Sequence, residues 1–234
     1  MKYLILLFFV AYSMSSFMID FIEKKLDKAT PVIHINPFNL ITEGQSLLKE
    51  GDLVVRLNRD PASQFIRNFN RHDKKYSHAG IVLFEQGYPY VYHIVNGEEN
   101  PDERLRKDSL SRFCDPGINK AYGIFRYNLD SGELGKIKET IHSWYAKGVR
   151  FDSAFNLKTD DRMYCSEMIS KALTRATHQR IQIETTKINT TEAMLFSEHA
   201  HLPFTYTSRL QIISIDDLYM NPYCHLIKGY SFER

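Results

Sequence analysis

The sequence predicts an α+β domain in which an antiparallel sheet packs against helices. Three observations carry the prediction. The runs "SHAGIVLF" and "YPYVYHIV" are β-rich and separated by "EQG" (Glu85 to Gly87), as in two antiparallel strands joined by a tight turn. Two further short runs, "GDLVVRL" and "AYGIFRY", read as strands on either side of that hairpin in the sequence. Finally, "YCSEMISKALTRA" places Met168, Ile169, Ala172 and Leu173 at helical spacing, which gives the sheet an apolar helix face to pack against.

From the N-terminus, Lys2 precedes a long apolar run, and Ala11-Tyr12-Ser13 has small residues at the spacing of a cleavage site. Residues 1–22 are therefore read as a secretory signal peptide. Phe17, Met18 and Phe21 prolong the apolar character, so an uncleaved membrane anchor is the second reading and a buried N-terminal helix the third. Residues 23–43, with two prolines among them, are expected to be a linker, and the folded domain to span 44–234. Gly51 to Leu57 is a strand. Asp60 caps a helix with Pro61 at its first position, reaching Phe69. After the hairpin come a strand at Ala121 to Tyr127 and a helix at Asp130 to Gly148, whose last glycine suits a C-cap. Cys165 falls in the first turn of the next helix. A strand from Leu210 leads to a capped helical turn at Asp216 and Asp217, while 178–210 carries no clear periodicity.

At 234 residues with no compositional break, the chain is one domain with a full core. The formal charge is +2 and the basic residues are dispersed, which removes nucleic acid as a partner. Three cysteines, Cys114, Cys165 and Cys224, are too few for a disulfide framework and leave at least one free thiol. "EHAH" (Glu198 to His201) packs two histidines and a carboxylate but lacks a third converging ligand, so it reads as a solvated loop. No metal and no cofactor are expected.

The chemistry turns on Cys165 and the histidines. A helix N-terminus offers unpaired N–H groups and the positive end of the dipole, which lower a thiol pKa. The alternative fate of such a cysteine is a small buried hydrophobe. Cys114 in a turn and Cys224 near the C-terminus have no comparable activation. His78 opens one hairpin strand and His93 closes the other. Directly paired residues on one sheet face lie about 5 Å apart, so, within one residue of register, the two are expected to face each other. His78 would be the base and His93 its orienter. His34, His72, His142, His178, His199, His201 and His225 have no such setting and read as surface or cap residues.

"GDLVV", "YSHAGIVLF", a strand carrying "YHIV" and, later, "FDSAFNLKTDDRMYCSEMISKAL" resemble the permuted papain-like amidases of the YaeF/YiiX type. These are relatives of the NlpC-type cell-wall peptidases and of the lecithin retinol acyltransferase family. The resemblance runs from about Gly44 to Leu173. In the NlpC-type enzymes the cysteine helix comes first; here the strands do, which is the circularly permuted order. The resemblance implies a permuted papain-like fold with Cys165 as nucleophile, His78 as base and His93 as third polar residue, a position where the YiiX type usually carries glutamate. It also sorts the neighbours. Tyr164 and Ser166 flank the cysteine as candidates for the oxyanion or the cleft, with the backbone N–H groups of Cys165 and Ser166 as the first choice of donor. Asp52 is expected to fix a strand start, Glu167 to favour the helix dipole, and Asp152 and Asn156 to shape the cleft.

The function expected is a cysteine amidase or peptidase, acting on cell-wall peptide amides after export to the periplasm. The alternatives are a lipid acyl-ester hydrolase or acyltransferase of the same fold, or an inactive membrane-associated binding protein. A polar groove would suit a muropeptide, and an apolar tunnel an acyl chain.

Overall fold

The computed structural model describes residues 36–97 and 100–233, and Pro37–Arg234 forms one compact unit. The signal peptide or anchor read at 1–22 lies outside the described residues. No helix among the described residues is long and apolar enough to cross a membrane.

The centre is a six-stranded antiparallel sheet of β1 (Leu53–Asn58), β2 (His78–Glu85), β3 (Tyr88–His93), β4 (Arg106–Asp108), β5 (Asn119–Tyr127) and β10 (Cys224–Ser231), in the order β10-β5-β1-β2-β3-β4. Every residue of β1 is buried, because both sheet faces are covered. On one face Leu53, Val55, Ala79, Ile81 and Tyr92 pack against α4 (Ser131–Lys147) and α5 (Cys165–Ala176). On the other, Val54, Val82, Val91 and Ile124 meet Ile41 of α1 (Pro37–Leu47) and Leu110 and Phe113 of α3 (Leu110–Phe113). A third cluster joins Phe69, just after α2 (Pro61–Ile66), to Ala193 and Phe196 of α6 (Thr190–Ala200) and to Ile212 of β9 (Gln211–Ile212).

Several expectations move. The linker read at 23–43 ends earlier, since α1 belongs to the domain: Ile41 is buried and the Tyr122 hydroxyl donates to the Leu40 carbonyl at 2.7 Å. The hairpin turn has two residues rather than three. Glu85 pairs with Tyr88, and Gln86 and Gly87 both have positive φ (51° and 83°), the geometry that matches strand twist. α4 is capped as its sequence suggests, by an Asp130–Glu133 capping box and a left-handed Gly148. At the next site, Ser214 caps the short helix α8 (Ile215–Tyr219), in place of Asp216. Asp216 instead accepts the backbone N–H groups of Arg71, His72 and Asp73, fixing the loop that leads into His78. The unassigned region 178–210 is β8 (Thr186–Lys187), α6 and α7 (Phe204–Thr207). Cys224 lies in the edge strand β10, and Asp52 is buried in an ion pair with Arg126 at 2.7 Å.

Candidate active site

His78 and His93 lie on one sheet face, but not opposite each other. The β2–β3 pairing ends at Ile81 and Tyr92, so the next residue of β3, His93, comes beside Gly80, and His78 lies two residues before Gly80 on the same face. The imidazoles therefore meet diagonally, His78 Nε2 to His93 Nδ1 at 3.0 Å, with ring centroids 5.2 Å apart. Gly80 makes this approach fit, because a Cβ there would stand 2.4 Å from Val91 Cγ1 and 3.2 Å from His93 Cβ. A second diagonal continues the line: His93 Nε2 lies 3.0 Å from Asp108 Oδ2 on β4. Asp108 also receives Arg106 at 2.8 Å and Arg112 at 3.3 Å.

The direction of each proton follows. Burial opposes ionisation of Asp108, yet the hydrogen bonds from His93 and Arg106 hold its carboxyl at about 2, so it accepts only. His93 must then donate through Nε2, which leaves Nδ1 bare to accept from His78 Nε2–H. The bare nitrogen of His78 is Nδ1. This chain of donors requires both imidazoles to be neutral. Burial drives His78 well below the ordinary imidazole range and His93 to about 4, Arg56 adding to both shifts.

Cys165 is the first residue of α5, with Tyr164 in extended conformation at the N-cap. α5 packs on the sheet face opposite the two imidazoles, and Cys165 and His78 come to a common space where both line one cavity. The backbone N–H groups of Ala79, the residue after His78, and of Ser166 and Cys165 itself favour the thiolate. These donors are outweighed by burial, which pushes the thiol up to about 11. The lowered thiol pKa expected from the helix N-terminus is thus overturned: the terminus is present, but the sulfur is sunk in apolar surroundings.

Cys165 and His78 line one cavity of about 740 Å³, with Tyr164 and Ser166 also in its wall. The Tyr164 hydroxyl accepts the Ile213 N–H at 2.8 Å, and the Ser166 hydroxyl donates to the Ile213 carbonyl at 2.7 Å. Both side chains therefore hold the α5 start against the 213 loop. Glu167 bridges the Tyr164 N–H and Lys171 and is raised to about 7 by burial. Asp152 accepts from Ala154 and Asn156, which shapes the loop of the cavity wall carrying Phe151 and Phe155.

Asp108 and Arg56 are the residues the sequence reading missed. Asp108 sits in a three-residue strand with no alternation to betray it. Arg56 had a signal, a charge inside the apolar run "GDLVVRL", and it is only 2% exposed. His199, grouped with the surface histidines, stacks on Phe65 at 4.2 Å and lines the cavity.

Among the described residues no three His, Cys, Asp or Glu side chains gather to hold a metal ion, and the facing nitrogens of His78 and His93 are spent on each other.

Residues 47–225 match the model of the permuted papain-like amidase enzymes, YaeF/YiiX, C92 family. The chain is 25% identical over 133 residues to the uncharacterized protein YiiX of Escherichia coli K12, a stretch covering 56% of this chain and spanning 60% of that relative's length. Its backbone resembles the crystal structure of metalloprotein yiiX from Escherichia coli O157:H7, with a TM-score of 0.63 and 19% identity over 78% of this chain and 98% of that one.

Proposed function

The chain belongs to the permuted papain-like amidase family, a cysteine hydrolase kind of protein, and from that premise we propose that Cys165 carries the acyl group of an amide or ester as a thioester. The observation that carries this reading is the line Asp108–His93–His78, which ends at the cavity holding Cys165.

The steps follow from the proton directions. His78 Nδ1 takes the proton of Cys165 as the sulfur attacks the substrate carbonyl carbon, so no thiolate need stand in the resting site. Negative charge then moves to the carbonyl oxygen, where the N–H groups of Cys165 and Ser166 are the donors at the helix start. His78 returns the proton to the leaving amine or alcohol, and the C–N or C–O bond breaks. Water, deprotonated by His78, attacks the thioester and releases a carboxylic acid and the thiol. His93 keeps the base in its tautomer and Asp108 does the same for His93.

For the acyl group, the cavity wall favours the apolar class over the cell-wall peptide expected from kinship alone. Phe65, Ile66, Phe69, Phe155, Phe196 and Ile213 supply it, as suits a hydrocarbon chain. Export remains part of the reading, and cell fractionation tests it: full-length protein in the cytoplasmic fraction would remove it. The substrate test is intact-mass spectrometry after mixing with long-chain acyl esters, N-acyl amides and muropeptides. The expected result is an acyl adduct on wild type and none on Cys165→Ala, with long-chain substrates preferred. Turnover of muropeptides alone would return the substrate to the cell wall.

A further inference from the structure

The two halves of the proposed couple reach the cavity from different elements, His78 from the start of β2 and Cys165 from the start of α5. Apolar packing of α5 on the sheet is non-directional, so it sets how deep the helix lies more firmly than where along the strand it stops. Hydrogen bonds are directional, and residues 213–216 carry a set of them to both halves. On the thiol side, the residues before and after Cys165 grip the peptide groups of one residue, Ile213. The Tyr164 hydroxyl accepts its N–H at 2.8 Å and the Ser166 hydroxyl donates to its carbonyl at 2.7 Å. On the base side, the fully buried Asp216 takes the N–H groups of Arg71, His72 and Asp73 on Oδ2 at 2.8, 2.6 and 3.0 Å, and its Oδ1 lies 2.5 Å from the Ser214 hydroxyl. Asn70 adds a second tie. It accepts the Ile215 N–H at 3.3 Å, while its amide donates to the carbonyls of Asp73 and of Tyr76, two residues before His78. The same stretches are cavity wall, which Asn70, Ser77, Ile213, Ser214 and Ile215 line.

We propose that Asp216 is a positioning residue: it locks the strap 213–216 onto the loop before His78 while Tyr164 and Ser166 lock the same strap onto the start of α5, so that base and thiol are held at one spacing. A carboxylate suits the post. Three successive N–H groups converging on one oxygen make an anion cradle, and bonds to a charged acceptor are about twice as strong as neutral ones. The strap is a link in series, running from the thiol side through Ile213 and Asp216 to the base side. Cutting such a link once frees the two halves, and cutting it again frees nothing more.

The inference rests on the proposed reaction for the roles of Cys165 and His78, but its first readout needs no substrate. The His78 ring signals are recorded by NMR at one pH in wild type, Cys165→Ala, Asp216→Asn and the double variant. Removing the sulfur should move the His78 signals in the wild-type background and move them several-fold less in Asp216→Asn. The second readout is the rate of acyl-adduct formation with the p-nitrophenyl ester of a long-chain fatty acid, followed by intact mass. Asp216→Asn and Tyr164→Phe should each slow it by about 10- to 10²-fold, as a misplacement of about 1 Å does. The variant carrying both should be no slower than the slower single, whereas their losses of Tm should add. If Asp216→Asn fails to fold, Tyr164→Phe, which cuts the link at its other end, takes its place in the NMR comparison. His78 signals that ignore Cys165→Ala in wild type, that respond to it equally in both backgrounds, or rates that multiply in the doubly cut variant overturn the proposal. A wild type that shows the NMR response but forms no adduct with any acyl donor removes the reaction and leaves the positioning standing.

Discussion

The two faces of the central sheet use the same alternating strands and each buries a cysteine, yet only one of those cysteines lines the cavity. Cys165, on the α4–α5 face, opens on the cavity, and three backbone N–H groups favour its thiolate. Cys114, on the α1–α3 face, is fully buried beside the imidazole side of the sheet, and burial drives its thiol far up with only Arg56 opposing. On the proposed reading, what sets Cys165 apart from Cys114 is the end of the strand, where the helix start and the cavity coincide. In the proposed reaction the α1–α3 face supplies the base and the α4–α5 face supplies the thiol.

The largest test of that contrast is a pair of substitutions. Cys165→Ala should abolish the acyl-enzyme seen by intact mass, and Cys114→Ala should leave it, with stability lowered by no more than a small core cavity costs, about 1 kcal/mol. The reverse outcome would put the nucleophile on the wrong face. Next in size is His78→Ala, expected to lower kcat/KM by about 10²- to 10⁴-fold, as removal of a positioned base does. His93→Ala should cost less, since it orients the base without touching substrate. The diagonal contact to Asp108 sharpens this. His93→Glu alone sets a second carboxylate against Asp108 and should be poorly active, whereas His93→Glu with Asp108→Asn should recover activity. Equal activity of single and double variants would mean that Asp108 plays no part.

Two smaller effects depend on pH. With the thiol pushed up to about 11, alkylation of Cys165 should be slow in mild acid and climb steadily toward pH 11. A plateau below pH 7 would reinstate a resting thiolate. For stability, His93 titrates near 4 in the folded chain against 6.5 when unfolded, so the unfolded state binds the proton first. The stability His93 contributes is complete above pH 6.5 and lost as pH falls toward 4. The urea midpoint should drop across that window in wild type and more shallowly in His93→Gln.

What could be read from the sequence divides along the same two faces. Apolar alternation and caps are local, so the hairpin, the helix Ser131–Lys147 and the start of the Cys165 helix were legible. That the two histidines share a face was expected only within one residue of register. A two-residue turn instead of three slides the pairing so that they meet diagonally, and the glycine at position 80 makes room for that approach. Asp108 is joined to His93 through a β4 of three residues, too short to announce itself. The thiol pKa was misread because helix position is visible in sequence, while the depth of burial depends on elements as distant as Ile213.

The order of the elements along the chain has a consequence for how the molecule comes into being. His78 and His93 are joined by a two-residue turn and sit 15 residues apart, a contact of low order that forms early and fast. Cys165 lies far downstream, and its helix must dock across the sheet before sulfur and base share a space. During vectorial synthesis the base half of the site therefore emerges and can fold while the nucleophile is still inside the ribosome. On the proposed reading a nascent chain therefore carries no complete Cys165–His78 couple, and refolding followed by acyl-adduct formation should lag behind refolding followed by β-sheet signal.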